Sequence, residues 1–159
     1  MRQSAKDILT LYRAKGLRIA TAESCTGGML AAAITDIAGS SDVFDRGFVT
    51  YSNAAKSDML GVSAQTLATH GAVSEPVARE MAEGALAASA GDVALSITGI
   101  AGPGGSDFKP EGRVCFGLAR KGHATRTETV EFGALGRDRV RSAATDHALS
   151  LLLTAAQQA

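Results

Sequence analysis

"DVALSITGIAG", residues 92–102, is a nearly unbroken apolar run. It is far shorter than the roughly 20 residues a bilayer-spanning helix needs, and such runs suit a strand covered on both faces. The run therefore predicts the middle strand of a sheet. Its continuation, "TGIAGPGG" (98–105), turns glycine-rich at the strand's carboxyl end, where open α/β sheets collect their ligands.

The flanking segments supply the other layers. "LRIATAES" (17–24) reads as a strand, and "MLAAAITDIAG" (29–39) follows with Leu30, Ile34 and Ile37 at helical spacing. "FDRGFVTYS" (44–52) predicts a second strand, and "NAAKSDMLGV" (53–62) a short helix with Asn53 as N-cap. "SAQTLATHG" (63–71) is a further short helix. "SEPVAREMAEGALAASAG" (74–91) is a longer one, with Ser74 as N-cap, Pro76 in the first turn and Gly91 as its stop. At the start of the chain, Ile8, Leu9, Leu11 and Tyr12 give a helix over 3–15 one buried side, closed by Gly16. Near the end, "GRVCFGLAR" (112–120) and "TRTETVEF" (125–132) flank "KGH" as an antiparallel hairpin, and a last helix covers 136–156. Strands alternating with helices and ending in a hairpin imply one domain of the α/β class. The expected form is a three-layer α/β/α sandwich with a mixed, mostly parallel sheet of about five strands.

Composition narrows the function. The chain has 159 residues, with 16 basic against 16 acidic side chains. This balance gives no global pull toward nucleic acid or an anionic membrane surface, so a charged ligand must be met locally. Cys25 and Cys115 lie 90 positions apart and form neither a paired metal-ligand spacing nor a disulfide framework, which suits a reducing cytoplasm. The N-terminal stretch breaks its apolar residues with charges and reads as an amphipathic helix rather than a signal peptide.

Three polar clusters fall at predicted strand ends: "ESCTGG" (23–28), "TYSNAAK" (50–56) and "TGIAGPGG" (98–105). In the first, Ser24 and Cys25 are rival nucleophiles, and Thr26, Gly27 and Gly28 open a helix start whose N–H groups suit a phosphate or an oxyanion. The plainer reading is a capped glycine turn. A thiol beside the Glu23 carboxylate is poorly placed to ionise, so Cys25 reads as a small packed residue. Serine needs a base. His70, His123 and His147 all lie outside the three clusters, and Asp146 and His147 point about 100° apart on one helix, which disfavours a histidine triad. Lys56 offers the alternative, because a partly buried lysine near a helix N-terminus loses its proton more easily. Its plainer reading is a solvated lysine on a short helix, and Tyr51 and Asn53 beside it read equally as core and cap.

The third cluster presents Thr98, Gly99, Gly102, Gly104 and Gly105 as a backbone cradle for phosphate or ribose. It matches neither the P-loop nor the dinucleotide fingerprint. Arg137 and Arg141, four apart on one helix face, suit a phosphate, with a solvated helix turn as the plainer reading. They sit in a basic stretch, 113–141, that carries seven Lys or Arg against three acidic residues.

Read together, "TAESCTGG", "ITDIAGSSDVFDRGFVTYSNAAK", "HGAVSEPVAREMA", "SITGIAGPGGSDFKPEGRV" and "GRDRVRSAATDHAL" resemble, in order, the CinA C-terminal domain family. Its stand-alone members include nicotinamide mononucleotide amidases of the PncC type. The resemblance implies an α/β/α sandwich and hydrolysis of the nicotinamide mononucleotide carboxamide to nicotinate mononucleotide and ammonia, in pyridine nucleotide recycling. It places the nucleophile on Ser24 and the lysine base on Lys56, with Tyr51 joining them as a catalytic candidate. Cys25 to Gly28, Asn53, Thr98, the glycines after it and the arginine pair become substrate contacts. The scheme needs no metal or redox cofactor. A small nucleotide is the expected partner, with neither nucleic acid nor membrane, and self-association into a homo-oligomer is expected. Two departures stand out. Ala55 replaces a commoner glutamate in "YSNEAK", and "PEGRV" replaces "PVGTV". The competing expectation is a nucleotide-binding module of the same fold without turnover.

Overall fold

The computed structural model describes residues 1–106 and 108–159; Asp107, inside the long loop before the hairpin, lies outside the described residues. The chain runs α1 (Arg2–Lys15), β1 (Ile19–Glu23), α2 (Met29–Thr35), β2 (Phe44–Val49), α3 (Asn53–Leu60), α4 (Ala64–His70) and α5 (Glu75–Ala87). Then follow β3 (Val93–Gly99), β4 (Arg113–Arg120), β5 (Arg126–Glu131) and α6 (Arg137–Gln157). The five strands form one sheet in the order β2-β1-β3-β4-β5, with β3 in the middle as the apolar run predicts. β1 pairs in parallel with β2 and β3, whereas β3–β4 and β4–β5 are antiparallel. The sheet is thus mixed, and only β4 runs against the rest.

The alternation of β3 divides the core. Val93, Leu95 and Ile97 belong to the apolar cluster that α1, α2 and α6 complete through Ile8, Leu30 and Leu149. Ala94, with Ala20 and Ala22 of β1, belongs to the opposite cluster, where Leu60, Val77, Met81 and Ala82 of α3 and α5 pack. Large side chains face one helical layer and small ones the other, so α5 sits close to the sheet. Its approach is visible where Ser96 Oγ on β3 donates to the Ala78 carbonyl on α5 at 2.6 Å.

Several boundaries differ from the sequence reading. Helix α2 stops at Thr35, and Ile37 is buried beyond it, before a 3₁₀ turn over Ser40–Asp42. The N-cap of α3 is Ser52, not Asn53; its hydroxyl accepts from Ala55 N–H at 3.0 Å. Helix α5 ends at Ala87, and Gly91 instead lies against Ala20 of β1, where a Cβ would meet the backbone nitrogen at 3.2 Å. Among the described residues no helix is long and apolar enough to cross a membrane.

Gly84 has a positional reason that helix propensity opposes. A glycine inside a helix costs about 1 kcal/mol relative to alanine, yet a Cβ here would lie 2.0 Å from the Leu60 carbonyl oxygen at the end of α3. The contact lets α3 seat against α5. Gly84→Ala is expected to lower stability by about 2 kcal/mol through overpacking, read as a reduced urea midpoint at unchanged m-value.

Candidate active site

The carboxyl ends of the three parallel strands meet at one edge of the sheet. Ser24 follows β1 directly and extends its ladder, since its N–H donates to the Ile97 carbonyl of β3 at 2.9 Å. On the other side Thr50 N–H donates to the Glu23 carbonyl at 2.9 Å, which registers the β2–α3 corner against the same turn. Between β1 and β2 the chain crosses one face through α2, and between β2 and β3 it crosses the other through α5. The strand ends around β1 therefore open into the crevice such a reversal creates.

Lys56 reaches this point from the first turns of α3. Its Nζ lies 3.1 Å from Ser24 Oγ, and it donates to the Thr50 carbonyl at 3.0 Å and the Tyr51 carbonyl at 3.4 Å. The residue is only 1% exposed, and Ser24 is 8% exposed. No carboxylate lies within ion-pair distance of Nζ among the described residues. Burial without a counter-charge holds the lysine pKa below its usual value. A neutral amine has two hydrogens and one lone pair. In the neutral form, hydrogens directed at the two carbonyls leave the lone pair for the serine hydroxyl; in the protonated form Nζ donates to Ser24 Oγ as well.

The turn after Ser24 is built differently from the open helix start that the sequence suggests. The Glu23 side chain, 1% exposed, folds back over the start of α2. It accepts from Thr26 Oγ1 at 2.6 Å, Leu30 N–H at 2.9 Å and Ala31 N–H at 3.0 Å. The carboxylate thus occupies the anion position at that terminus. Gly27 N–H is also used, donating to the Ser24 carbonyl at 3.0 Å. Gly27 and Gly28 hold φ of +57° and +106°, so their role is the turn itself. Of this motif only Ser24 and Cys25 line the cleft; Thr26, Gly27 and Gly28, expected as substrate contacts, stand behind it. Burial pushes the Cys25 thiol up to about 11, so it is a neutral neighbour of the serine.

The cleft has a volume of about 330 Å³, and Asn53, Thr98, Gly99, Gly102, Gly104 and Gly105 line it. Thr98 Oγ1 donates to the Ala72 carbonyl at 2.9 Å, fixing the far wall. Tyr51 is 61% exposed, a rim residue and not core. Its hydroxyl accepts from Arg137 Nη2 at 2.9 Å, so it meets Lys56 through its carbonyl alone. The arginine pair separates. Arg137 lines the cleft and also donates to the Gly102 carbonyl at 2.7 Å. Arg141 instead donates to the Cys25 and Thr26 carbonyls at 3.0 and 3.3 Å, bracing the serine turn from outside.

Lys109 carries no assignment from the sequence, and Glu111 enters there only as part of the "PEGRV" departure. Lys109, in the long loop, lines the cleft and donates to the His70 and Val73 carbonyls at 2.7 and 2.5 Å. Its signal was a single cation in a loop already marked by its glycines. Glu111 accepts from Gly104 N–H at 2.7 Å and Gly136 N–H at 3.0 Å. Among the described lining residues the charged side chains are Lys56, Lys109 and Arg137, with no carboxylate. No histidine lines the cleft; His147 pairs with Glu128 and packs on Phe116, 4.7 Å between ring centroids.

The family model described as the CinA C-terminal domain matches residues 1–156. The chain belongs to the CinA C-terminal domain family. Among curated relatives, the "Nicotinamide-nucleotide amidohydrolase PncC" of Escherichia coli (strain K12) is 54% identical over 153 residues, covering 94% of this chain and 91% of that one. A "CinA-like protein" of Syntrophobacter fumaroxidans is 55% identical over 141 residues, 88% of this chain but 33% of its own length. The CinA domain thus occurs both as most of a chain and as part of a longer one. The crystal structure of the competence/damage inducible protein CihA from Agrobacterium tumefaciens superposes with a TM-score of 0.93 at 47% identity, covering 96% of this chain and 93% of that one. A CinA superfamily protein from Klebsiella pneumoniae 700603 gives 0.94 at 37% identity, covering 99% and 98%. The mixed five-stranded α/β/α sandwich is the fold of this family.

Proposed function

We propose that this CinA-family protein hydrolyses the carboxamide of nicotinamide mononucleotide to nicotinate mononucleotide and ammonia, with Ser24 as nucleophile and Lys56 as general base. The observation that carries the mechanism is the buried Lys56 amine, 3.1 Å from Ser24 Oγ and without a counter-charge. The substrate class rests on the name and coverage of the E. coli relative and on a cleft whose charged lining is basic.

Ser24 Oγ attacks the carboxamide carbon while its proton passes to Lys56 Nζ. The developing oxyanion is held by the Cys25 backbone N–H, the amide next to the nucleophile in a residue that lines the cleft. Lys56 then returns the proton to the departing nitrogen, the C–N bond breaks, and ammonia leaves an ester on Ser24. Water attacks that ester with Lys56 again as base, releasing the carboxylate and restoring the serine hydroxyl. The pyridinium of the substrate withdraws electrons from the carbonyl carbon throughout. Arg137, with Lys109 as a second cation, meets the phosphate, and the glycine loop lies along the ribose. The substrate belongs to the cytoplasmic pyridine nucleotide pool.

Purified protein incubated with nicotinamide mononucleotide is expected to release one ammonia per nicotinate mononucleotide formed. Binding of the nucleotide with no ammonia would replace this reading with that of a silent binding module.

A further inference from the structure

Glu111 lies in the long loop before β4, and nothing in the reaction scheme uses it. Its carboxylate nevertheless bridges the lining loop and the residue before α6. One carboxylate oxygen accepts from Gly104 N–H at 2.7 Å, in the lining loop, and the other from Gly136 N–H at 3.0 Å, the residue before α6. The side chain also packs flat on Gly102, where a Cβ would lie 2.5 Å from its carboxyl carbon. Gly102 and Gly136 are the two backbone anchors of Arg137, beside its side-chain contact with the Tyr51 hydroxyl. The Gly102 carbonyl accepts from Arg137 Nη1 at 2.7 Å, and Gly136 fixes the backbone from which the arginine side chain leaves.

We infer that Glu111 is a positioning residue that aims Arg137 into the cleft by fastening both of its backbone anchors, and so sets selectivity for a phosphorylated substrate. The physical reason is economy of degrees of freedom. An arginine on the first residue of a helix samples many rotamers unless both its root and its acceptor are fixed. A carboxylate with two backbone N–H donors makes two charge-assisted bonds and so ties the two segments together. Glu111 does not touch the reacting atoms, so its loss should reach binding of the phosphate end and spare the chemical step. The inference rests on the proposed nucleotide substrate.

The test compares wild type, Glu111→Gln, Arg137→Ala and the double variant on nicotinamide mononucleotide and on nicotinamide riboside, which lacks the phosphate. Glu111→Gln is expected to raise KM for the nucleotide about tenfold, the size of one lost charge-assisted hydrogen bond. Its kcat should stay within about twofold, with kcat/KM for the riboside unchanged. In the Arg137→Ala background the same change should add nothing. Equal losses on both substrates, an effect that multiplies that of Arg137→Ala, or no effect would each overturn the inference. Should Glu111→Gln fold poorly in a thermal melt, Glu111→Val is measured against the same expectations. Failure of wild type to release ammonia would instead count against the proposed reaction. The comparison is then read as calorimetric Kd for the two ligands, where Glu111→Gln must weaken only the nucleotide; absence of nucleotide binding by wild type overturns both.

Discussion

Ser24→Ala is expected to cut ammonia release from nicotinamide mononucleotide by about a thousandfold or more, with the fold and nucleotide binding intact. The hydroxyl is the only group lost. Ser24 holds its place through its backbone, with its N–H on the Ile97 carbonyl and its carbonyl on Gly27 N–H, and alanine keeps both bonds. Removing a nucleophile that works with its base as a unit forfeits nearly the whole covalent route. The neighbouring thiol cannot substitute, because burial pushes it up to about 11 and the thiolate is scarce at neutral pH. Cys25→Ala in parallel should keep turnover within about tenfold of wild type, since the backbone N–H assigned to the oxyanion survives the change. Ammonia assays on the two variants, with circular dichroism and nucleotide titration of each, make the comparison. A serine variant that stays active beside a cysteine variant that is dead would move the nucleophile one residue along.

How far this site could be read from residues alone depended on whether the deciding contact was local. The β3 strand was legible because an apolar run bounded by glycines has few other uses in a chain of this size. The hairpin and the long helices followed from periodicity in the same way. The α3 cap was missed by one residue because Ser52 and Asn53 are both good caps, and only the hydroxyl bond to Ala55 N–H separates them. By sequence Glu23 is a charge beside a thiol, whereas in the fold its carboxylate reaches seven and eight positions forward to α2. No short capping pattern spans that distance. Helical spacing correctly put Arg137 and Arg141 on one face, yet their destinations differ. Gly102 and Tyr51 draw one into the cleft, and the Cys25 carbonyl holds the other behind it. Lys56 shows the limit most clearly. Its burial is a tertiary fact, invisible to propensity; the search for a serine base names it as a candidate beside the plainer solvated reading, and the resemblance in "YSNAAK" shifts the weight to the base.

Lys56→Met is expected to lower kcat/KM by about a thousandfold, the usual scale for a general base, and to change how stability depends on pH. Methionine fills the volume of the lysine stem without a titrating group, so α3 should stay seated. In wild type the catalytic form is the neutral amine. Activity should therefore fall as pH drops through the folded-state pKa of Lys56, which burial holds below the ordinary lysine range. Stability carries the same sign. Between that depressed value and the unfolded value near 10.4, the unfolded chain binds a proton that the folded chain does not, so stability rises with pH. The slope contributed by one such group is at most about 1.4 kcal/mol per pH unit. Below the folded value both states are protonated and the contribution is gone. The difference in unfolding free energy, wild type minus Lys56→Met, should thus grow as pH rises through this window. Urea melts at a series of pH values measure it independently of turnover. A difference that stays flat with pH would mean that the amine is already charged in the folded protein, and the general base would then have to be sought elsewhere in the cleft. A growing difference with lost activity ties both effects to one buried proton site facing Ser24.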